Sequence, residues 1–233
     1  MVCNSPSQPL DMYFHSAGRE ALGRCSFNSR EPSMKKILIF ALLISTIPAQ
    51  AEDYAAWKLV NKDAEWTRIS EITVKDTNLI NLIPKDIDKF CPNYQNLNSD
   101  EKAKFWVGLI SIVTKPESNF DPRQTYTEKT IFDKNGKNVV SHGLLQISQE
   151  SANAYGCNIQ QEKDLHKPEI NLNCGAKILS KLVTKDQVIG TYGPKTNKST
   201  GGGRYWSVLR ERKGHFPLIT GFTNKLDVCK AKL

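Results

Sequence analysis

The 233-residue chain lacks most of the features that would place it at once in a specialised class. It has no low-complexity tract, no internal repeat and no linker dividing it into two halves. These absences exclude collagenous, solenoid and disordered architectures and leave one ordinary domain, or two at most. No apolar run approaches the ~20 residues that a membrane helix requires. No Cys-x-x-Cys pair and no His-x-x-x-His spacing occurs, so a zinc site has no support and no metal is expected. Pro194 to Gly203 ends in three glycines but lacks a preceding strand and the Gly-Lys-Ser/Thr ending of a phosphate-cradling loop, and it reads as a flexible connection. His142, His166 and His215 have no Ser or Cys nucleophile motif beside them, which leaves them as surface or supporting groups.

What is present begins at Met34. Two lysines, an apolar run of about twelve residues and a small-x-small site at Ala49-Gln50-Ala51 have the pattern of a secretory signal peptide over residues 34–51. Met1 to Ser33 is polar and without apolar periodicity, and is expected to be an upstream extension outside the fold. No cysteine follows Ala51, which argues against a lipid anchor. The exported chain then holds 182 of the 233 residues, and the formal charge of +8 falls to +6 with 27 basic against 21 acidic residues.

Cys3 and Cys25 leave with the leader. Cys91, Cys157, Cys174 and Cys229 remain, an even number in a chain sent to an oxidising compartment, so two disulfides are expected. Four cysteines allow three pairings and sequence does not choose among them. The favoured one joins Cys157 to Cys174 around a short loop and Cys91 to Cys229 from the start of the domain to its tail.

The pattern along the exported chain is mostly helical. Tyr54 to about Ile69 reads as amphipathic, with Trp57, Val60 and Ala64 on one stripe, and Ile83-Pro84 before Asp86 restarts the chain after a break. Ser99-Asp100-Glu101 supplies an N-cap and an acidic first turn to a buried helix over about 100–115, ended or kinked by Pro116. Two β-prone runs around Asn135-Gly136 predict a two-residue hairpin. Ser148 caps a short helix closed by Gly156. Leu172, Gly175, Ala176, Leu179 and Val183 share one face of another, where Gly175 would let a further helix approach. A last helix is predicted from Arg204 to about Arg212.

Chemistry concentrates where the buried helix meets the hairpin. Glu117 stands at the C-terminal end of an apolar helix beside Phe120, where lost solvent and the helix dipole both favour the protonated carboxyl. A carboxylic acid kept protonated near neutral pH is what a glycosidic oxygen needs as its proton donor. In Ser141-His142-Gly143-Leu144-Leu145-Gln146-Ile147, Gly143 allows a close backbone approach and Gln146 offers an amide that can donate and accept. That set suits a sugar-binding cleft.

Glu117-Ser118-Asn119-Phe120-Asp121-Pro122 resembles the Glu-Ser-x-Phe-x-Pro motif of soluble lytic transglycosylases, and Ser141 to Ile147 resembles their Ser-x-Gly-Leu-Met/Leu-Gln-Ile motif. Asp164-Leu165 through Leu179 is similar to a third family segment, and Gly203 to Arg210 to a terminal helix of some members. The resemblance implies an α+β, mainly α, lysozyme-like domain with a small β-hairpin, stabilised by disulfides. The four matches span about 95–210; the domain is expected over 95–233, with 52–94 as a helical segment packed on it.

The resemblance further implies peptidoglycan as substrate and cleavage between N-acetylmuramic acid and N-acetylglucosamine with a 1,6-anhydro product. Glu117 would be the catalytic residue, and Ser141, Gly143 and Gln146 would contact substrate. No cofactor is implied. The family's Tyr-Asn is missing; Tyr192 and Tyr205 are the candidates for its tyrosine, and Tyr205 is preferred because Val208 and Leu209 would turn its helix toward the core.

A hydrolytic muramidase like goose-type lysozyme is the second reading, and would need a further carboxylate from Asp121, Glu128 or Asp133. A catalytically inert glycan binder is the third. A periplasmic or secreted monomer, with no nucleic acid partner and no membrane insertion after leader removal, is expected, its positive charge suiting anionic wall polymers.

Overall fold

The computed structural model describes residues 54–62, 64–192, 198–212 and 214–230, with the backbone alone for 191 and 192. The leader, its cleavage site, Cys3 and Cys25 lie outside the described residues. Five α-helices, seven 3-10 turns and two small antiparallel sheets are present among the described residues. No helix among them is long and apolar enough to cross a membrane.

Helix α2 (Ser99–Ser118) is buried from Phe105 through Thr114 without a polar stripe, because other elements surround it. Its cap is Asn98 rather than Ser99. The Asn98 side chain accepts from the Glu101 N–H and Glu101 returns the bond, a capping box of about 1 kcal/mol. The helix runs through Pro116 and stops at Asn119, which is left-handed at φ 53°. A proline this close to the end gives up one hydrogen bond in the last turn without breaking the helix. Much of the bulk around α2 is aromatic: the Trp106 indole N–H donates to the Tyr94 hydroxyl at 2.8 Å, and Phe105 packs edge-on against both rings.

Helix α1 (Glu65–Asp76) packs on α2 and on α4 (Pro168–Asp186). It starts eleven residues later than the sequence pattern predicts. Ala64 is left-handed and the Asn61 side chain accepts from the Trp66 N–H, so the chain turns before it helps to build a helix. Val60 is therefore exposed while Trp57 is buried, and the stripe proposed for them does not exist. In α4, Gly175 does admit a close neighbour, but a Cβ there would stand 2.1 Å from the Leu145 side chain. The neighbour is a loop residue, not another helix.

The tail also departs from expectation. Arg204 to Arg212 is not an α-helix: two 3-10 turns, Gly202–Arg204 and Ser207–Leu209, flank an extended Trp206 whose indole N–H donates to the Leu145 carbonyl at 2.9 Å. The last α-helix, α5 (Phe216–Thr223), follows later and carries a proline in its first turn. The three glycines expected in a flexible loop are buried: Gly201 ends β4 (Ser199–Gly201), which pairs with β3 (Gly190–Tyr192), and Gly202 and Gly203 begin the following 3-10 turn. A Cβ on Gly201 would lie 2.1 Å from the Val188 carbonyl oxygen at a φ of +56°, so glycine here serves close packing. Residues 193–197 of that segment lie outside the described residues.

The second sheet is the hairpin of β1 (Thr125–Phe132) and β2 (Asn138–His142). Its turn is wider than the two residues predicted. The Asp133 N–H donates to the Lys137 carbonyl, the Asp133 carboxylate accepts from the Asn135 and Lys137 N–H groups, and only Gly136 is left-handed. Helix α3 (Gln149–Ala154) is capped by Ser148, and Gly156 follows it at φ 79°. Disulfides join Cys91 to Cys229 and Cys157 to Cys174, the favoured pairing. Closing 138 and 17 residues of chain, they restrict the unfolded state by roughly 5 and 3 kcal/mol.

Candidate active site

Asn171 is the hinge pin of the site. Buried on α4, it accepts from the Leu145 N–H at 2.9 Å and donates to the His142 and Leu165 carbonyls at 2.9 and 2.8 Å. These bonds fix the segment 142–147 against α4. Gly143 is the residue that permits them: at φ +74°, a Cβ would stand 2.2 Å from the Leu165 carbonyl and 2.4 Å from the Asn171 amide. Gly143 itself is not among the residues that line the cleft.

Ser118 couples this segment to α2. Its hydroxyl donates to the Leu144 carbonyl at 2.9 Å, fixing the last turn of the helix and with it Glu117. Asn119 and Phe120 then both take positive φ, turning the chain sharply toward the hairpin.

Glu117 opens into a cleft of about 680 Å³ lined by the hairpin, by Ser148, Glu150 and Ser151 and by residues 204–210. Its carboxyl is half-buried, makes no hydrogen bond or ion pair with another described residue, and has its pKa pushed up to about 7 by burial. No cation among the described residues counters that shift. Of the residues expected at the site, Ser141, Gln146 and Tyr205 line the same cleft. The Tyr205 side chain is half-buried, its hydroxyl accepts from the Ser148 N–H at 3.4 Å, and burial followed by the nearby Glu117 charge raises its pKa. The side chain of Tyr192 lies outside the described residues.

Gln146 is held at φ 47°, with its amide N–H groups donating to the Gln124 and Gly143 carbonyls at 3.1 and 2.9 Å. Its amide oxygen is buried and has no hydrogen-bond partner among the described residues. Among the three further carboxylates considered, Glu128 lines the cleft; Asp121 accepts from the Arg123 N–H, and Asp133 holds the hairpin turn. Glu128 sits where the register of the hairpin slips between Thr127 and Phe132, an irregularity of the kind that re-aims side chains beside active sites.

Several contributors were not singled out from sequence. Asn171, Trp206, Ser148, Ser151 and Arg210 become part of the site only through tertiary contact, although Asn171 lies in a segment that resembles the family. His142 is buried, with its Nδ1 3.2 Å from Nε2 of His166, and neither lines the cleft. No group of three His, Cys, Asp or Glu residues among the described ones could hold a metal ion.

The transglycosylase SLT domain model matches residues 96–193. Solved structures of Bd0314 DslA are similar: a glutamate-to-glutamine mutant at 37% identity over 76% of this chain and 98% of that one, and the wild type in a second form at 38% over 76% and 97%, each with a TM-score of 0.70. A second glutamate-to-glutamine mutant matches equally, at 38% identity and a TM-score of 0.70. No curated protein sequence matches significantly. The cleft, the capped helix that carries Glu117 and these matches agree: the chain belongs to the transglycosylase SLT-domain family, and its domain is that of a peptidoglycan lytic transglycosylase in general.

Proposed function

We propose that the exported protein cleaves the β-1,4 bond between N-acetylmuramic acid and N-acetylglucosamine, with Glu117 as proton donor to the leaving oxygen. The observation that carries this reading is a single one: an unpaired, half-buried carboxyl at the floor of a cleft, its pKa held near 7 by burial. As the bond from the muramyl anomeric carbon to the leaving oxygen breaks, the Glu117 proton moves to that oxygen. The Glu117 carboxylate then takes the proton of the muramyl C6 hydroxyl, whose oxygen attacks the anomeric carbon and closes a 1,6-anhydro ring. No water is consumed and no second carboxylate is needed. Export to the periplasm or beyond fits the two disulfides.

Hydrolysis is favoured by a separate observation. Glu128 lines the same cleft, and the two glutamates replaced in the DslA mutants stand eleven positions apart, as do Glu117 and Glu128. Here Glu128 would take a proton from water as that water attacks the anomeric carbon. Mass spectrometry of products from purified peptidoglycan, with wild type and Glu128→Gln, tests the choice. Anhydro ends from both proteins support the first reading. Products heavier by one water, lost in Glu128→Gln, establish the second and overturn the first.

A further inference from the structure

The cleft is lined by charges of both signs. Glu117, Glu128 and Glu150 bring three carboxyls to it from α2, β1 and α3, and Arg204 and Arg210 bring guanidinium groups to the same cleft. Arg204 is already satisfied, since its Nε and Nη2 both bond the Asp186 carboxylate. Arg210 is different. Its side chain is half-buried, its Nε–H donates to the carbonyl of buried Gly203 at 2.8 Å, and it forms no ion pair with a carboxylate of the described residues.

A guanidinium anchored through Nε keeps the Nη1–Nη2 edge for a planar anion, and its orientation is fixed before the anion arrives. Glu117 forms no ion pair with Arg210 or any other described residue, so the Arg210 charge is not spent on that carboxyl. Among the described residues, an anionic substituent entering this cleft meets three carboxyls and one guanidinium without a carboxylate partner. On a peptidoglycan strand the anionic substituent is the branch at C3 of muramic acid. It ends in a lactyl carboxylate where no peptide is attached, and carries carboxylates along the stem where one is.

Resting on the peptidoglycan reading above, we propose that Arg210 binds a carboxylate of this muramyl branch and so sets the register in which a strand lies over Glu117. Arg210 is then a specificity determinant of the cleft and takes no part in proton transfer.

The test uses four preparations of the same peptidoglycan: with stems, stripped of stems by an amidase, and each of these with its carboxylates converted to methylamides. kcat/KM is measured for wild type and Arg210→Gln on all four. The expected result is a loss of about ten- to a hundredfold in Arg210→Gln on a carboxylate-bearing strand, chiefly in KM, with parity on its methylamide counterpart. A loss confined to stripped strands identifies the lactyl carboxylate, and a loss confined to stem-bearing strands a stem carboxylate. Equal rates on the carboxylate-bearing strands, or an equal loss on the methylamides, overturn the proposal. Parity on the methylamides also shows that the variant is folded. Failure of wild type on every preparation would instead strike the peptidoglycan reading itself.

Discussion

Glu117 stands on a helix that is buried for most of its length, whereas Glu128 stands on a strand whose other residues are all exposed. The first carboxyl has its position set by Ser118, Leu144 and Asn171 and its proton affinity set by the core beneath it. The second depends on a hairpin with a register slip and a turn organised by one aspartate. The contrast teaches that protonation state, which tolerates little error, is placed on the rigid wall. The hairpin wall instead leaves Tyr126, Ile131 and Phe132 exposed along the cleft.

The comparison can be broken most forcefully at Glu117. Glu117→Gln is expected to lower the turnover of purified peptidoglycan by about a thousandfold, within the range for loss of a general acid. It should not destabilise the fold. A carboxyl raised from 4.5 to about 7 in the folded state holds its proton more tightly when folded, so wild type loses stability as pH rises from about 4.5 through about 7. Denaturant melts should show equal stability for variant and wild type at pH 4, and the variant ahead by about 1–3 kcal/mol at pH 8. A variant less stable at pH 8 would remove burial as the source of the shift.

The rigid wall is next. Asn171→Ala strands the Leu145 N–H and takes one partner each from the His142 and Leu165 carbonyls, and should cost about 3 kcal/mol by chemical denaturation, with activity falling in step. Asn171→Asp gives the contrasting case, because it keeps the acceptor for Leu145 and loses the donor to both carbonyls. A loss below about 0.5 kcal/mol in the alanine variant would show that the segment 142–147 is held by something else. The smallest effect is expected on the hairpin. Asp133→Ala removes the acceptor that orders the turn, so hydrogen exchange should quicken within 125–142 and stay unchanged in α2 and α4.

How much of this is legible in the sequence follows the same division. The helix that carries Glu117 can be read because its cap, its acidic first turn and its unbroken apolar run are local, and the error of one residue at Asn98 is a choice between neighbouring capping side chains. The hairpin is announced by Asn135-Gly136, but its width depends on the Asp133 side chain, which competes with the backbone for the turn. Gly143 gives a correct signal of close approach, but only the folded chain shows that Leu165 and, on α4, Asn171 are what approach. The tail differs from its local pattern for a like reason. Trp206 is pulled out of helical geometry by a bond to Leu145, 61 residues away in sequence, and no local pattern reports it. Arg210 carries no signal of its own until Asp186 is seen to occupy Arg204 beside it.

Carboxyl-carbon NMR titration of Glu117 in the folded protein tests the central claim most directly. A midpoint at about 7, absent in Glu117→Gln, is the result expected of a buried proton donor. A midpoint near 4.5 would mean that the acid is ionised at neutral pH, and would contradict the account.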